Sequence, residues 1–313
     1  MLSSQHRGVS EVFKGHMKAV ESRLSGGRRR GGHALKMRNK LKHSLYKSLN
    51  RSGLRFILAA SAATLATIRA GKLCKVSYEG EWVQRFPSCT LVEPRLSLWT
   101  PQKIERLVTD FFMYQYRPKY GDTIVDVGAG TGWETLFFSR EVGMSGRVIS
   151  IEAHPTVFRC LSKMRAENRL ENVTLVQAAV ADQEGEIQLS DSPEHEANSI
   201  IGADSGIRVA CTTLDHIFRS LELSCVDFLK MNIEGAERLA LSGMGQMVRK
   251  TRNVCIACHD FLADEGGPNE FRTKADVIAF LKQNGFVVSL RESEGDFLRN
   301  YVYGLNEKLP ANH

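Results

Sequence analysis

From residue 121 onwards, short β-branched and apolar runs alternate with segments whose apolar positions recur at helical spacing. The runs predict strands at residues 123–127, 147–151, 173–179, 226–232, 253–258, 285–290 and 300–304. The segments between them predict helices at residues 132–142, 155–168, 212–220, 235–242 and 270–284. Strands that alternate with helices are typical of a parallel, doubly wound sheet.

The last two predicted strands differ from the others in their connection. Residues 291–299 join them and are too few for a crossover helix, so we expect an antiparallel hairpin at one edge of the sheet. Residues 119–313 are therefore predicted to form an α/β domain of Rossmann-like type, with a seven-stranded, mostly parallel sheet.

Two regions precede this domain. Residues 54–118 are predicted to be a helical region, with helices at 54–70 and 101–116 and a loop containing Pro87 and Pro94 between them. Thr100 is a plausible N-cap for the second helix. Residues 1–53 are predicted to form a basic arm that is partly disordered. Within the arm, apolar residues fall on one face of a helix: Val9, Phe13, Met17, Val20 and Leu24.

The charge of the chain is concentrated in this arm. Residues 1–53 hold 13 Lys and Arg and two Glu, a net charge of 13 − 2 = +11, whereas the whole chain carries +7. A basic amphipathic segment can lie on an anionic membrane, bind nucleic acid or act as a transit peptide. The sequence predicts a cytoplasmic protein and leaves open peripheral membrane contact through residues 9–51, organellar targeting and a merely solvated arm.

The sequence disfavours membrane spanning and metal binding. The longest uncharged segment, residues 56–68, is too short to cross a bilayer. Seven cysteines are scattered along the chain, and Cys255 and Cys258 fall in a predicted strand, where positions i and i+3 face opposite ways. We therefore expect buried thiols and no metal site.

A glycine-rich loop follows the first predicted strand of this domain. It reads Asp126-x-Gly128-x-Gly130-x-Gly132, and the next strand is followed by Glu152. This arrangement is typical of a site for an adenosine-containing cofactor, whose ribose hydroxyls the acid can bind. A dinucleotide fingerprint needs a further glycine where this chain has Trp133. The loop therefore favours S-adenosylmethionine over NAD and makes a nicotinamide oxidoreductase a weaker alternative.

The predicted cofactor site includes the loop and two later positions. Asp126 is expected to hold the loop and approach the methionine amino group, and the backbone of Ala179 and Val180 to border the adenine. The full predicted set is Asp126, Gly128, Ala129, Gly130, Gly132, Glu152, Ala179 and Val180.

The fourth predicted strand of the domain carries polar residues on one face: Lys230, Asn232 and Glu234. Charged residues are rarely buried in a central strand unless they are paired. One interpretation is structural, with Glu234 and Glu237 offsetting a helix dipole and Lys230 as their partner. We favour a site role for Asn232 and Glu234, because the carboxyl end of this strand lies beside the strand of Asp126.

Residues 119–260 resemble the FkbM-type S-adenosylmethionine-dependent methyltransferases. The resemblance is carried by residues 126–132, the segments Ile151-Glu-Ala-His-Pro155 and Gln177-Ala-Ala-Val-Ala-Asp-Gln-Glu-Gly185, Thr213-Leu-Asp215, Lys230-Met-Asn-Ile-Glu-Gly-Ala-Glu237 and His259. It implies the class I methyltransferase fold and methylation of a hydroxyl on a sugar, glycan or secondary metabolite.

The chain departs from the family pattern at two positions. The family usually has Asn at Gly130, a change we expect to be harmless, and Asp at Asn232. An amide cannot act as a base. A S-adenosylmethionine-binding protein with weak or no catalysis is therefore an alternative.

The predicted catalytic residues are His259, Glu234, Asn232 and Lys230. Removal of a proton from the acceptor hydroxyl favours a general base, and the ordinary pKa of histidine, about 6.5, suits neutral pH. His259 is the first candidate, with Asp260 to orient it, and Glu234 the second.

The expected acceptor is a small molecule or glycan. A nucleic-acid methyltransferase using the arm is a less favoured alternative, because Asn232 is followed by Ile-Glu-Gly and not by Pro-Pro-aromatic. The sequence leaves the oligomeric state open.

Overall fold

The computed structural model describes residues 53–191, 198–201, 206–291 and 298–309. These residues fall into two compact units, one ending at Ile104 and the other beginning at Glu105. Except for Gly53, the basic arm predicted over residues 1–53 lies outside the described residues, including its amphipathic segment.

The first unit contains a helix and a small antiparallel sheet. Helix α1 spans Arg55–Ala70, and strands β1 (Lys75–Tyr78), β2 (Trp82–Arg85) and β3 (Thr90–Glu93) pair in chain order. The helices predicted at 54–70 and 101–116 correspond to α1 and to α2 (Pro101–Phe111), and the loop predicted between them contains the three strands. Strands of four residues offer too few alternating positions for the pattern to be recognised.

The second unit is built on a larger sheet and a smaller one. The larger sheet contains β4 (Thr123–Val127), β5 (Arg147–Glu152), β6 (Val173–Gln177), β10 (Val226–Met231), β11 (Thr251–Ala257), β12 (Phe286–Leu290) and β13 (Tyr301–Asn306). The smaller sheet contains β7 (Ala179–Val180), β8 (Gly185–Leu189) and β9 (Ile207–Thr212). The helices are α3 (Trp133–Val142), α4 (Pro155–Glu167), α5 (Leu214–Ser220), α6 (Glu237–Ser242), α7 (Asp260–Asp264) and α8 (Lys274–Gln283).

The strand order of the larger sheet confirms the predicted fold class. Across the described residues the order is β12-β13-β11-β10-β4-β5-β6, and β13 is the one strand that runs opposite to the other six. The last two strands form the predicted antiparallel hairpin at one edge. Central strands are buried along their whole length: β10 has no exposed residue, because it is covered on both faces.

The smaller sheet corrects part of the prediction. Residues 173–179 do not form one strand, because β6 ends at Gln177 and Ala179 pairs instead with Cys211 of β9. Strands β8 and β9 were not predicted. In β8 only Leu189 is buried. The sequence of this strand therefore lacks the apolar run that marks the central strands.

One of the family-like motifs has a local structural role. Thr213 caps α5 by accepting a hydrogen bond from the backbone of His216, and the Asp215 carboxylate accepts bonds from the backbone N–H groups of Gln246 and Met247. These contacts satisfy donors at a helix start and in a loop. Cys255 and Cys258 are buried free thiols, as expected.

Candidate active site

The candidate site lies where the strand order reverses. From β4 the chain moves through β5 and β6 towards one edge, and later through β10 and β11 towards the other. Neighbouring β4 and β10 are parallel, with Asp126 beside Lys230 and Val127 beside Met231. Ligands of doubly wound folds bind at the carboxyl ends of the strands at this switch point. The glycine loop and the residues after β10 both lie there.

The need for glycine differs among the three glycine positions of the loop. A Cβ at Gly128 would lie 2.0 Å from the Asn232 carbonyl oxygen, and one at Gly132 would lie 2.1 Å from the Met164 side chain. Gly130 has φ +57, yet a Cβ there would meet no atom within 4 Å. At Gly128 the obstacle is backbone, so packing requires that glycine. At Gly132 the obstacle is the end of a flexible side chain, and the φ of +94 is the reason that glycine is favoured there. The space at Gly130 is open.

Glu152 anchors this loop. Its two carboxylate oxygens accept hydrogen bonds from the backbone N–H groups of Gly130, at 3.0 Å, and His154, at 2.8 Å. Burial raises the pKa of the Glu152 carboxyl, and these two N–H groups oppose that shift. The residue keeps some exposure. Each carboxylate oxygen can accept a second bond, so ribose hydroxyls could bind without displacing the backbone.

These features fit S-adenosylmethionine. The open space at Gly130 lies beside an acid that is partly exposed at the end of β5, which is what an adenosine group requires. Ala129 is fully buried, and its N–H donates to the Ile151 carbonyl, so it ties the loop to strand β5.

Ala179 and Val180 lie in a short strand of the smaller sheet. Both are buried in β7 and pair with Cys211 and Thr212 of β9. Their part in binding adenine stays a prediction.

Asp126 and Lys230 form a closed cluster beneath the loop. Lys230 Nζ lies 3.0 Å from Asp126 Oδ1 and donates a hydrogen bond to the Gly128 carbonyl at 2.8 Å. Asp126 Oδ2 accepts a bond from Thr135 at 2.7 Å. Asp126 and Lys230 have no exposed surface. The structural partner predicted for Lys230, Glu234 or Glu237, is therefore corrected to Asp126.

The burial of Lys230 also corrects its predicted catalytic role. A side chain with no exposed surface cannot touch an acceptor, so Lys230 is a positioning residue that holds the glycine loop. Sequence reasoning missed Glu134, at the start of α3. Burial raises the pKa of the Glu134 carboxyl, and the nearby Lys230 charge opposes that shift.

A second cluster joins the end of β10 to the end of β11. His259 Nδ1 donates to Glu237 Oε1 at 2.8 Å, and His259 Nε2 lies 3.3 Å from Glu234 Oε1. Thr273 donates to the other oxygen of Glu237 at 2.8 Å. Glu237 is fully buried, whereas the Glu234 side chain is 10% exposed. Glu234 is thus the carboxylate of this cluster that a ligand can reach.

The charge state of His259 differs from the expectation. Burial lowers its pKa, but the Glu234 and Glu237 carboxylates raise it by more, to about 10. The imidazole is therefore protonated at neutral pH and is not the free base that its ordinary pKa suggested. The orienting residue also changes: Asp260 accepts bonds from the backbone of Thr273 and Lys274, and Glu237 holds His259.

Sequence reasoning considered Glu237 only as a helix-dipole residue. Its spacing of three from Glu234 across a turn was the available signal, whereas nothing in the sequence pointed to Thr273. The turn between the two acids is sharp, with Glu234 at φ +50 and Gly235 at φ +94. A positive φ is unusual for a residue other than glycine. Ser199 donates a hydrogen bond to the Glu234 carbonyl at 2.6 Å and so supports this backbone conformation.

Asn232 lies between the two clusters and is partly buried. Its N–H donates to the Val127 carbonyl at 3.0 Å, and its own carbonyl packs against Gly128. These backbone contacts join β10 to the glycine loop and do not depend on whether the side chain is an amide or an acid.

Residues 126–288, just over half of the chain, match the Methyltransferase FkbM domain family. The protein belongs to the FkbM methyltransferase family. This family is one of methyltransferases. A comparison with curated proteins found no match.

Solved structures of methyltransferases are similar in part. Methyltransferase FkbM from Methylobacillus flagellatus KT is 17% identical, with a TM-score of 0.43, over 65% of this chain and 50% of that one. The chain thus spans about half the length of that relative. A SAM-dependent methyltransferase from Aquifex aeolicus is 19% identical, with a TM-score of 0.39, over 66% of this chain and 97% of that one. Aeropyrum pernix fibrillarin with natively bound S-adenosylmethionine is 14% identical, with a TM-score of 0.39, over 74% and 96%.

Proposed function

We propose that this protein methylates a hydroxyl group of a sugar, glycan or secondary metabolite. One observation supports the proposal most: the partly exposed carboxylate of Glu234 follows the strand that contacts the glycine loop and is hydrogen-bonded to a protonated His259. A hydroxyl is a weak nucleophile until its proton is being removed, so a carboxylate at this place has a chemical purpose.

The chain's residues divide the work as follows. S-adenosylmethionine supplies an electrophilic methyl group when it is bound. Glu152 and the backbone at Gly130 would hold its adenosine part, and the loop that Lys230 positions would fix its orientation, since displacement requires alignment of the reacting atoms.

Proton transfer falls to the cluster after β10. Glu234 would accept the hydroxyl proton. With His259 protonated and both Glu residues ionised, the cluster carries one negative charge, and uptake of the proton would make it neutral. Glu237 and Thr273 would keep His259 in place throughout. Asn232 is not needed as a base in this scheme, so the amide there is compatible with catalysis.

Calorimetry with S-adenosylmethionine tests the cofactor site. Glu152→Ala should weaken binding by about 1.5–3 kcal/mol, the range for hydrogen bonds to a charged group. Glu171→Ala, an exposed acid in the same unit, is the matched control. Undiminished binding in Glu152→Ala would contradict the proposed placement.

Transfer of a labelled methyl group tests the reaction. Glycan, sugar and small-molecule hydroxyl acceptors should be methylated on oxygen by the wild type. Cofactor binding without transfer to any hydroxyl, or methylation confined to nitrogen or nucleic acid, would contradict the proposal.

A further inference from the structure

Helix α1 has apolar side chains on the face that the first unit leaves exposed. Its buried face is formed by Ala62 and Ala66, which are 3% and 0% exposed. At 100° per residue, Ile57, Leu65 and Ile68 fall within an arc of about 80°, whose centre lies about 120° from that of the two alanines. Leu65 and Ile68 are 46% and 72% exposed. A helix that is apolar on both sides is normally covered on both.

The charges around α1 indicate what covers it. The described residues 53–78 contain four cations, Arg55, Arg69, Lys72 and Lys75, and no Asp or Glu. The exposed arc of α1 itself carries no charge. Immediately after the helix, Lys72, Leu73 and Lys75 are exposed. An apolar strip within a wholly cationic segment matches the interface of an anionic bilayer, which offers acyl chains and negative headgroups together.

We propose that α1 and its flanking basic residues dock this protein on the surface of an anionic lipid membrane. The helix lies in the interface and does not cross it: no described helix combines the length and hydropathy needed for a span. Nucleic acid would use the cations but has no need of the apolar strip. A neutral apolar partner would use the strip but not the cations.

Vesicle flotation of the full chain tests this surface. Vesicles of phosphatidylcholine with phosphatidylserine should bind the protein, and vesicles of phosphatidylcholine alone should bind it at least about tenfold more weakly, as expected for several basic residues at an anionic surface. The double substitution Leu65→Ser, Ile68→Ser should lower binding to the anionic vesicles by about tenfold or more, because two apolar side chains leave the interface.

Matched controls keep the result interpretable. Met144→Ser and Val287→Ser remove exposed apolar side chains from the second unit, at 67% and 50% exposure, and should leave vesicle binding unchanged. Unchanged thermal unfolding of the α1 variant shows that it is folded, as its exposed positions predict. An unfolded variant is replaced by Leu65→Lys alone, which should weaken binding despite its added charge.

Three outcomes would overturn the proposal. They are absence of binding to anionic vesicles, binding that the α1 substitutions do not change, and a concentration-dependent dimer that the substitutions abolish without vesicle binding. In the first of these cases, salt-steep binding to RNA would assign the basic segment to nucleic acid.

Discussion

Two buried charge clusters border the same strand, and they differ in whether a ligand can reach them. Lys230 and Asp126 make a closed ion pair with no exposed surface, and the Glu134 carboxylate interacts with the same cation. Glu234, His259 and Glu237 place two carboxylates around one imidazolium, and one of those carboxylates is partly exposed. A pair that no ligand can reach can only hold structure. A carboxylate that a ligand can reach is able to take up a proton.

The largest expected effect tests the reactive cluster. Glu234→Gln keeps the size and turn of the residue but removes the proton acceptor. The kcat for methyl transfer should fall by about 10²–10⁴-fold, the usual contribution of a general base. The Kd for S-adenosylmethionine should stay unchanged. Glu265→Gln, an exposed acid nearby, should have wild-type kcat. Full activity in Glu234→Gln would show that Glu234 is not the proton acceptor and that this cluster, like the Lys230 pair, is structural.

The next effect tests the closed pair. Lys230→Met leaves the Asp126 carboxylate buried without its cation, and the free energy of unfolding should fall by about 3–5 kcal/mol. Urea denaturation measures this loss. Adding Asp126→Asn removes the uncompensated charge and should restore much of the stability.

The same double variant separates positioning from stability. The Gly128 carbonyl would still lack its donor, so the Kd for S-adenosylmethionine should remain raised by about tenfold, the value of one hydrogen bond. Wild-type affinity in the folded double variant would limit Lys230 to balancing charge.

A smaller and pH-dependent effect is expected at His259. Its folded-state pKa of about 10 lies above the ordinary value of 6.5. The stability that this charge contributes is therefore complete below about pH 6.5 and is lost as the pH rises towards 10. Nitrogen NMR of the imidazole should show the protonated form throughout the neutral range. A titration near pH 6.5 would return His259 to the role of general base.

The smallest effect is expected in the loop above the closed pair. Gly130→Asn should change the free energy of unfolding by less than about 0.5 kcal/mol, because asparagine tolerates this φ and the space is open. Gly128→Asn should cost several times more, because its Cβ would strike the Asn232 carbonyl. Thermal unfolding compares them. Equal losses would contradict the distinction drawn between the two glycines.

Much of the fold could be predicted from the sequence, because its central strands are continuous apolar runs with regular helical segments between them. The antiparallel edge hairpin followed from the length of one connection. The short strands β1 to β3, β8 and β9 could not be predicted in this way. Strands β1 to β3 have only four residues each, and β8 has a single buried residue, so these segments lack the apolar run that marks a central strand.

The candidate site divides in the same manner. The sequence by itself determined the glycine loop, the acid at Glu152 and the family, since these depend on residue type and spacing along one continuous segment. Only the tertiary structure decided the partners of the charged residues. Lys230 pairs with Asp126, 104 positions earlier in the chain, and His259 with Glu234 and Glu237 on another element. Protonation depends on burial and on the distance between charges, which the order of residues does not give, and so the imidazole expected to be a base is an imidazolium.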